Sequence, residues 1–112
     1  MARDYFHRVA AETKTRVWVN NPSLTDLRNA MDAGAINCTT NPAYGAKLLK
    51  SDHDYMVGVI QSVASDFSDD HEAADRIYQI ISGRIMQEFL PLYESSGGRE
   101  GFVTMQDDPR ND

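Results

Sequence analysis

Three short β-prone stretches in this chain each run into a cluster of polar residues followed by proline, and each of the first two is followed at once by a helical pattern. Arg16-Val17-Trp18-Val19 is rich in β-branched and aromatic residues, is too short for a helix, and meets Asn20-Asn21-Pro22. Ala35-Ile36-Asn37-Cys38-Thr39 continues into Thr40-Asn41-Pro42, and Gly101-Phe102-Val103-Thr104-Met105-Gln106 runs into Asp107-Asp108-Pro109. A prolyl ring has no N–H for a ladder and fixes its own φ, so each of these prolines ends a strand.

The segments between read as helices. Ser23 opens Leu24 to Met31 with Asp26 at near capping-box spacing, and Gly34 supplies a left-handed stop. Pro42 suits the first position of a helix running through Leu49. Met56, Val59, Ile60 and Val63 form one face of a helix from Tyr55 to Phe67; Ile77, Ile80, Ile81, Ile85 and Phe89 do the same from Glu72 to about Leu92, where Pro91 is expected to kink or end it. Ser95-Ser96-Gly97-Gly98 is a turn. At the front, Tyr5, Phe6, Val9 and Ala10 give a short helix from Asp4 to Thr13, with Asp4 complementing its positive end. This order of helix, strand, helix, strand, helices, strand predicts an α/β fold with a parallel sheet, in a single domain.

Composition narrows the partners. Seventeen acidic against eleven basic residues leave a net charge of −6, which disfavours nucleic acid and anionic membrane, since both recruit basic surfaces. One cysteine, Cys38, excludes an intramolecular disulfide, and His7, His53 and His71 lack zinc-site spacing, so no metal is expected. The first residues are charged throughout and no apolar stretch is long enough to span a membrane, which fits a reducing cytoplasm.

In parallel α/β folds the chemistry gathers where strands end and helices begin. The three exits carry Asn20-Asn21, Thr39-Thr40-Asn41 and Gln106-Asp107-Asp108. Amides and hydroxyls both donate and accept, which suits a polyhydroxylated ligand. Taken singly, Asn-Pro and Asp-Pro are ordinary turn chemistry; three such clusters at successive strand exits form a pattern that points to a site.

Asn37-Cys38-Thr39-Thr40-Asn41-Pro42-Ala43 resembles the transaldolase signature, whose core is Thr-(Ser/Thr)-Asn-Pro followed by a small residue. Trp18 to Leu24 resembles the first strand and helix entry of that family, and Val103 to Arg110 its third strand, in the correct order over nearly the whole chain. The resemblance implies the first three β/α units of a (β/α)₈ TIM barrel with a leading helix. It implies transfer of a dihydroxyacetone unit between sugar phosphates through a Schiff-base lysine, as in the pentose phosphate pathway, with no cofactor. Thr39 and Asn41 would then bind the sugar. Asn20 and Gln106 would occupy catalytic positions: the first-strand general acid/base and the third-strand water-positioning group.

The sequence departs from that family at points that matter. Asn20 stands where an aspartate is usual, and an amide has no proton to exchange at neutral pH. Asn37 and Tyr44-Gly45 depart at the edges of the signature. The lysine that the family carries on its fourth strand has no counterpart: Lys14 precedes the first strand, and Lys47 and Lys50 have the spacing of solvated helix residues. Arg99 and Arg110 match no phosphate-binding position of the family. A barrel needs about 250 residues, so this chain of 112 residues reads as an inactive part of a transaldolase-like enzyme. The alternative is a non-catalytic remnant that binds sugar phosphate or assembles with copies of itself through exposed strand edges.

Overall fold

A computed structural model of the protein describes residues 5–106. Eight elements follow in the order α1 (Tyr5–Glu12), β1 (Trp18–Asn20), α2 (Leu24–Asp32), β2 (Asn37–Thr40), α3 (Tyr44–Ser51), α4 (His53–Ala64), α5 (Asp70–Ser95) and β3 (Val103–Met105). The strands form one parallel sheet in the order β1-β2-β3. This is the α/β fold that the alternation of strand and helix patterns predicts. Among the described residues no helix is long and apolar enough to cross a membrane.

Several boundaries move, each for a local reason. β1 starts two residues later than expected and takes in Asn20, and the next N–H, that of Asn21, still donates to Thr39 O at 3.0 Å. β2 likewise shifts forward to include Thr40. α3 begins at Tyr44 because Asn41 occupies the preceding turn: its Oδ1 accepts from Ala43 N (3.0 Å) and its carbonyl from Tyr44 N (2.9 Å). Pro42 therefore sits outside the helix. α2 carries the capping box in full, with Ser23 Oγ accepting from Asp26 N and the Asp26 carboxylate from Ser23 N. Asp4, expected to complement α1, lies outside the described residues.

Pro91 does not end α5. The helix continues to Ser95, because an exposed proline removes only one donor, and the Gly97 and Gly98 N–H groups close the end on Glu94 O and Tyr93 O. Beyond it the chain turns sharply into β3 at Gly101, where φ is +89° and a Cβ would stand 2.8 Å from Tyr93 N and 2.9 Å from Phe89 O. Only glycine allows that approach.

Parallel register decides which side chains share a face. Trp18, Val19 and Asn20 pair with Asn37, Cys38 and Thr39; Cys38, Thr39 and Thr40 pair with Val103, Thr104 and Met105. Because side chains alternate, one face carries Val19, Cys38, Thr40, Val103 and Met105, and the other carries Trp18, Asn20, Asn37, Thr39 and Thr104. The helices cover the first face. Leu27, Cys38, Tyr44, Leu48, Met56, Ile81, Ile85 and Phe89 bury a shared core there, with Val19 and Val103 packed against it. On the other face Trp18 is 43% exposed and Asn20 and Thr104 are exposed; Phe102, which enters β3, is 44% exposed. A parallel sheet usually has both faces covered; within the described residues the second face of this one is covered only in part, Asn37 being buried with its Oδ1 accepting from Phe102 N while Trp18, Asn20 and Thr104 are exposed.

Candidate functional site

The exit of the covered face is a closed hydrogen-bond network. Thr40 Oγ1 donates to Thr104 O at 2.9 Å, and its oxygen lies 3.0 Å from Tyr78 Oη and 3.4 Å from Ser82 Oγ. Gln106 N donates to Tyr78 Oη at 2.9 Å and to Thr40 O at 3.2 Å. A threonine hydroxyl has one proton. With that proton on Thr104 O, the Tyr78 hydroxyl donates to Thr40 and accepts from Gln106. The network ties β2, β3 and α5 together with no exposed group on Thr40.

The exit of the open face is arranged differently. Thr39 Oγ1 donates to Asn20 Oδ1 at 2.9 Å, linking β2 to β1 across the face. That leaves both Nδ2 protons of Asn20 and the lone pairs of Thr39 without a protein partner among the described residues. One step further along the strands, Asn21 and Asn41 grip each other: Asn21 Nδ2 donates to Asn41 Oδ1 at 3.0 Å, and Asn41 N to Asn21 Oδ1 at 3.1 Å. Asn21 reaches this position with φ +47°, a left-handed conformation that asparagine tolerates better than most side chains.

Of the residues expected at the site, Asn20 and Thr39 are brought into direct contact. Asn41 stands beside them, held through its Oδ1, with its Nδ2 making no hydrogen bond to a described residue. Gln106 follows β3, where the register continued by one residue sets it opposite Asn41. Its side chain is exposed and makes no hydrogen bond to a described residue. Asp107, Asp108 and Arg110 lie outside the described residues.

Lys14 and Lys50 are exposed as expected, but Lys47 is not a purely solvated cation. Its Nζ donates to Asn21 O, so the helix after Asn41 folds its ammonium back onto the first strand exit. The physical reason is reach: Lys47 lies one turn inside α3, whose start the Asn21–Asn41 pair holds against the β1–α2 loop. Tyr44 makes a parallel contact, donating its hydroxyl to Pro22 O, and both bonds were missed by reading the sequence because helical spacing says nothing about a partner 22 or 26 residues away.

Tyr78 and Ser82 were also missed. A signal existed: they are hydrogen-bonding residues four apart on a helix whose neighbouring stripe is Ile77, Ile81 and Ile85. On the same helix Arg84 stacks 3.5 Å over the Tyr55 ring and pairs with Asp52 at 3.0 Å, while its Nε and Nη2 are buried with no hydrogen-bond partner among the described residues. Between α3, α4 and α5 lies an apolar cavity of about 190 Å³, lined by Leu49, Met56, Ile60, Ile77 and Ile81; its walls do not suit a polyhydroxylated ligand.

Burial silences the nucleophile-type groups of the core. The Cys38 thiol is pushed up from 9.0 to about 12 by burial. The Tyr44 hydroxyl rises from 10.0 to about 12, again by burial first, against an opposing pull from Arg84. Neither is a thiolate or phenolate near neutral pH. Among the described residues no three His, Cys, Asp or Glu side chains come together as a metal site.

No protein-family model matches the chain. Neither a curated protein nor a solved structure is significantly similar to it. The functional reading therefore rests on the residues at the strand exits and their arrangement.

Proposed function

We propose that this chain forms the first three β/α units of a transaldolase-like (β/α)₈ barrel, and that its open sheet face orients a sugar phosphate for Schiff-base transfer of a dihydroxyacetone unit. The observation that carries this reading is the Asn20–Thr39 hydrogen bond on the uncovered face of a sheet whose strands lie in chain order, with Asn41 and Gln106 one step closer to the exits. A barrel interior is polar at the exit of its strands and receives its ligand there. The row Asn20, Thr39, Thr104 has that character.

In this reading Thr39 and Asn41 hold hydroxyls of the donor sugar and Gln106 positions water. Asn20 binds without transferring a proton. The reacting amine must come from outside these residues, because no lysine lies on the open face. Titration with dihydroxyacetone, followed by amide chemical shifts, is expected to move Asn20, Thr39, Asn41 and Gln106 first. A response confined to the apolar cavity, or none, sinks the reading. Incubation with fructose 6-phosphate and borohydride is expected to leave the mass of the chain unchanged, and a reduced adduct would show that the nucleophile had been misplaced.

A second reading, assembly with copies of itself, is favoured by the half-exposed Trp18 and Phe102 on the open face and by β1 and β3 each pairing on one side only among the described residues. A discrete oligomer in light scattering that dissociates on Trp18→Ser would support it; a monomer at all concentrations would end it.

A further inference from the structure

We propose that the cleft between α3, α4 and α5 is a binding site for a small aromatic ligand, an uncharged ring of about the size of benzene or indole. The site is lined by none of Asn20, Thr39, Asn41 and Gln106, and it does not depend on the sugar-phosphate reading.

The size of the space and the chemistry of its wall define the occupant. At about 190 Å³ it is too small for a nucleotide, since sites for drug-sized ligands run from about 300 to 1,000 Å³. Cavities of about 150 Å³ lined by Leu, Ile and Phe take up benzene or xenon. Here Leu49, Met56, Ile60, Ile77 and Ile81 supply an aliphatic and thioether wall, and Tyr78 is the one side chain on it with a polar group. That hydroxyl is committed to Thr40 and to Gln106 N, so what Tyr78 has left for a ligand is its ring. A polar ligand would give up its water for no partner. An aromatic ring instead gains ring contact with Tyr78 and sulfur contact with Met56. Met56 and Ile81 are buried, while Leu49 is 39% exposed and Ala74 is exposed, so a ring can enter from solvent without the helices parting.

Gly45 helps to keep this space open. It lies within α3 and lines the cleft, where glycine costs a helix stability relative to alanine, and it has no positive φ that would require glycine. Of Gly45, Gly58 and Gly83, the helical glycines among the described residues, only Gly45 has neighbours where a Cβ would stand: Ile81 Cδ1 and Met56 Cε, each at 3.8 Å. That is ordinary contact. Alanine would fit, and a longer side chain would reach into the cleft.

The test is a titration of the whole chain with benzene, indole and dihydroxyacetone, followed by methyl and amide chemical shifts, on the natural protein, Gly45→Ala and Gly45→Leu. Benzene and indole are expected to shift the Met56, Ile60, Ile77 and Ile81 methyls saturably, with a dissociation constant of about 1 mM or tighter. Dihydroxyacetone should leave those methyls in place. Gly45→Ala should retain benzene binding, and Gly45→Leu should weaken it about tenfold or more, because the leucine side chain takes the place of the ring. Binding that never saturates, or that moves the surroundings of Trp18 and Phe102 instead of the cleft methyls, overturns the proposal. So does equal benzene binding by Gly45→Leu, or a comparable response of the cleft methyls to dihydroxyacetone. A natural protein that takes up no ring but forms a dimer dissociated by Gly45→Leu would put a side chain of a second copy in the cleft, and that too overturns it. If Gly45→Leu fails to fold, cross-relaxation from benzene protons to the Met56 Cε and Ile81 Cδ1 methyls of the natural protein decides: its presence upholds the site and its absence overturns it.

Discussion

Thr39 and Thr40 are neighbours with the same side chain, one turned to each face of the same strand. Thr40 is fully buried, and its hydroxyl is spent on Thr104, Tyr78 and Ser82. Thr39 is half-buried and makes one side-chain bond, to Asn20, leaving acceptor capacity open. The difference teaches that adjacent residues of one motif can divide their labour: one serves the core, and the other keeps hydrogen-bonding capacity on the open face. A hydroxyl in the dry layer under α5 is a structural tie, whereas the same group on the uncovered face is free to meet a ligand.

That division is strongest in the core itself, where substitution should be most damaging. Phe89 is fully buried and its carbonyl lies against Gly101; Phe89→Ala is expected to destabilise the protein by about 3–5 kcal/mol in urea unfolding. A loss below about 1 kcal/mol would mean that the covered face is not the stabilising one. Thr40→Val comes next. It keeps the shape but removes the side-chain donor to Thr104 O and the acceptor of the Tyr78 proton, for an expected loss of about 1–3 kcal/mol, and if Thr39→Val lost as much the distinction between the faces would collapse.

The covered face should also be the alkaline weak point. In the folded state burial holds Cys38 and Tyr44 protonated up to about 12, while in the unfolded chain they release protons near their ordinary values. Above pH 9 the folded state therefore binds more protons than the unfolded one, and stability falls as pH rises from there towards 12. Urea midpoints measured from pH 7 to 11 should be level at first and then decline, with a smaller decline in Cys38→Ala compared with its own midpoint at pH 7. Smallest of all is the stability effect of Thr39→Val, expected within about 0.5 kcal/mol but accompanied by weaker dihydroxyacetone binding. Undiminished binding would place the site elsewhere.

Much of the architecture was legible because it is local. The capping box at Ser23 and Asp26 and the stop at Gly34 depend on neighbours a few residues away, and both appear where the sequence places them. Boundaries drifted where a side chain competed for backbone. Asn41 took the Ala43 N–H and delayed α3, and Asn20 and Thr40 extended strands that proline had been expected to close earlier. Pro91 misled for a related reason: the intrinsic preference against proline in a helix is real, but packing of Ile85 and Phe89 under the same helix outweighs the one missing donor.

At the site, the sequence by itself determined which groups gather at the strand exits, since the alternation of strand and helix patterns is enough to bring successive exits to one end of a parallel sheet. It could not determine how they pair. The parallel register sets Asn20 against Thr39, the left-handed turn at Asn21 joins it to Asn41, and α3 carries the Lys47 ammonium back to a carbonyl 26 residues earlier. Those contacts depend on where whole elements come to rest, and that is fixed by burial of the shared core beneath the helices, a sum over residues distant in the chain that no local pattern contains.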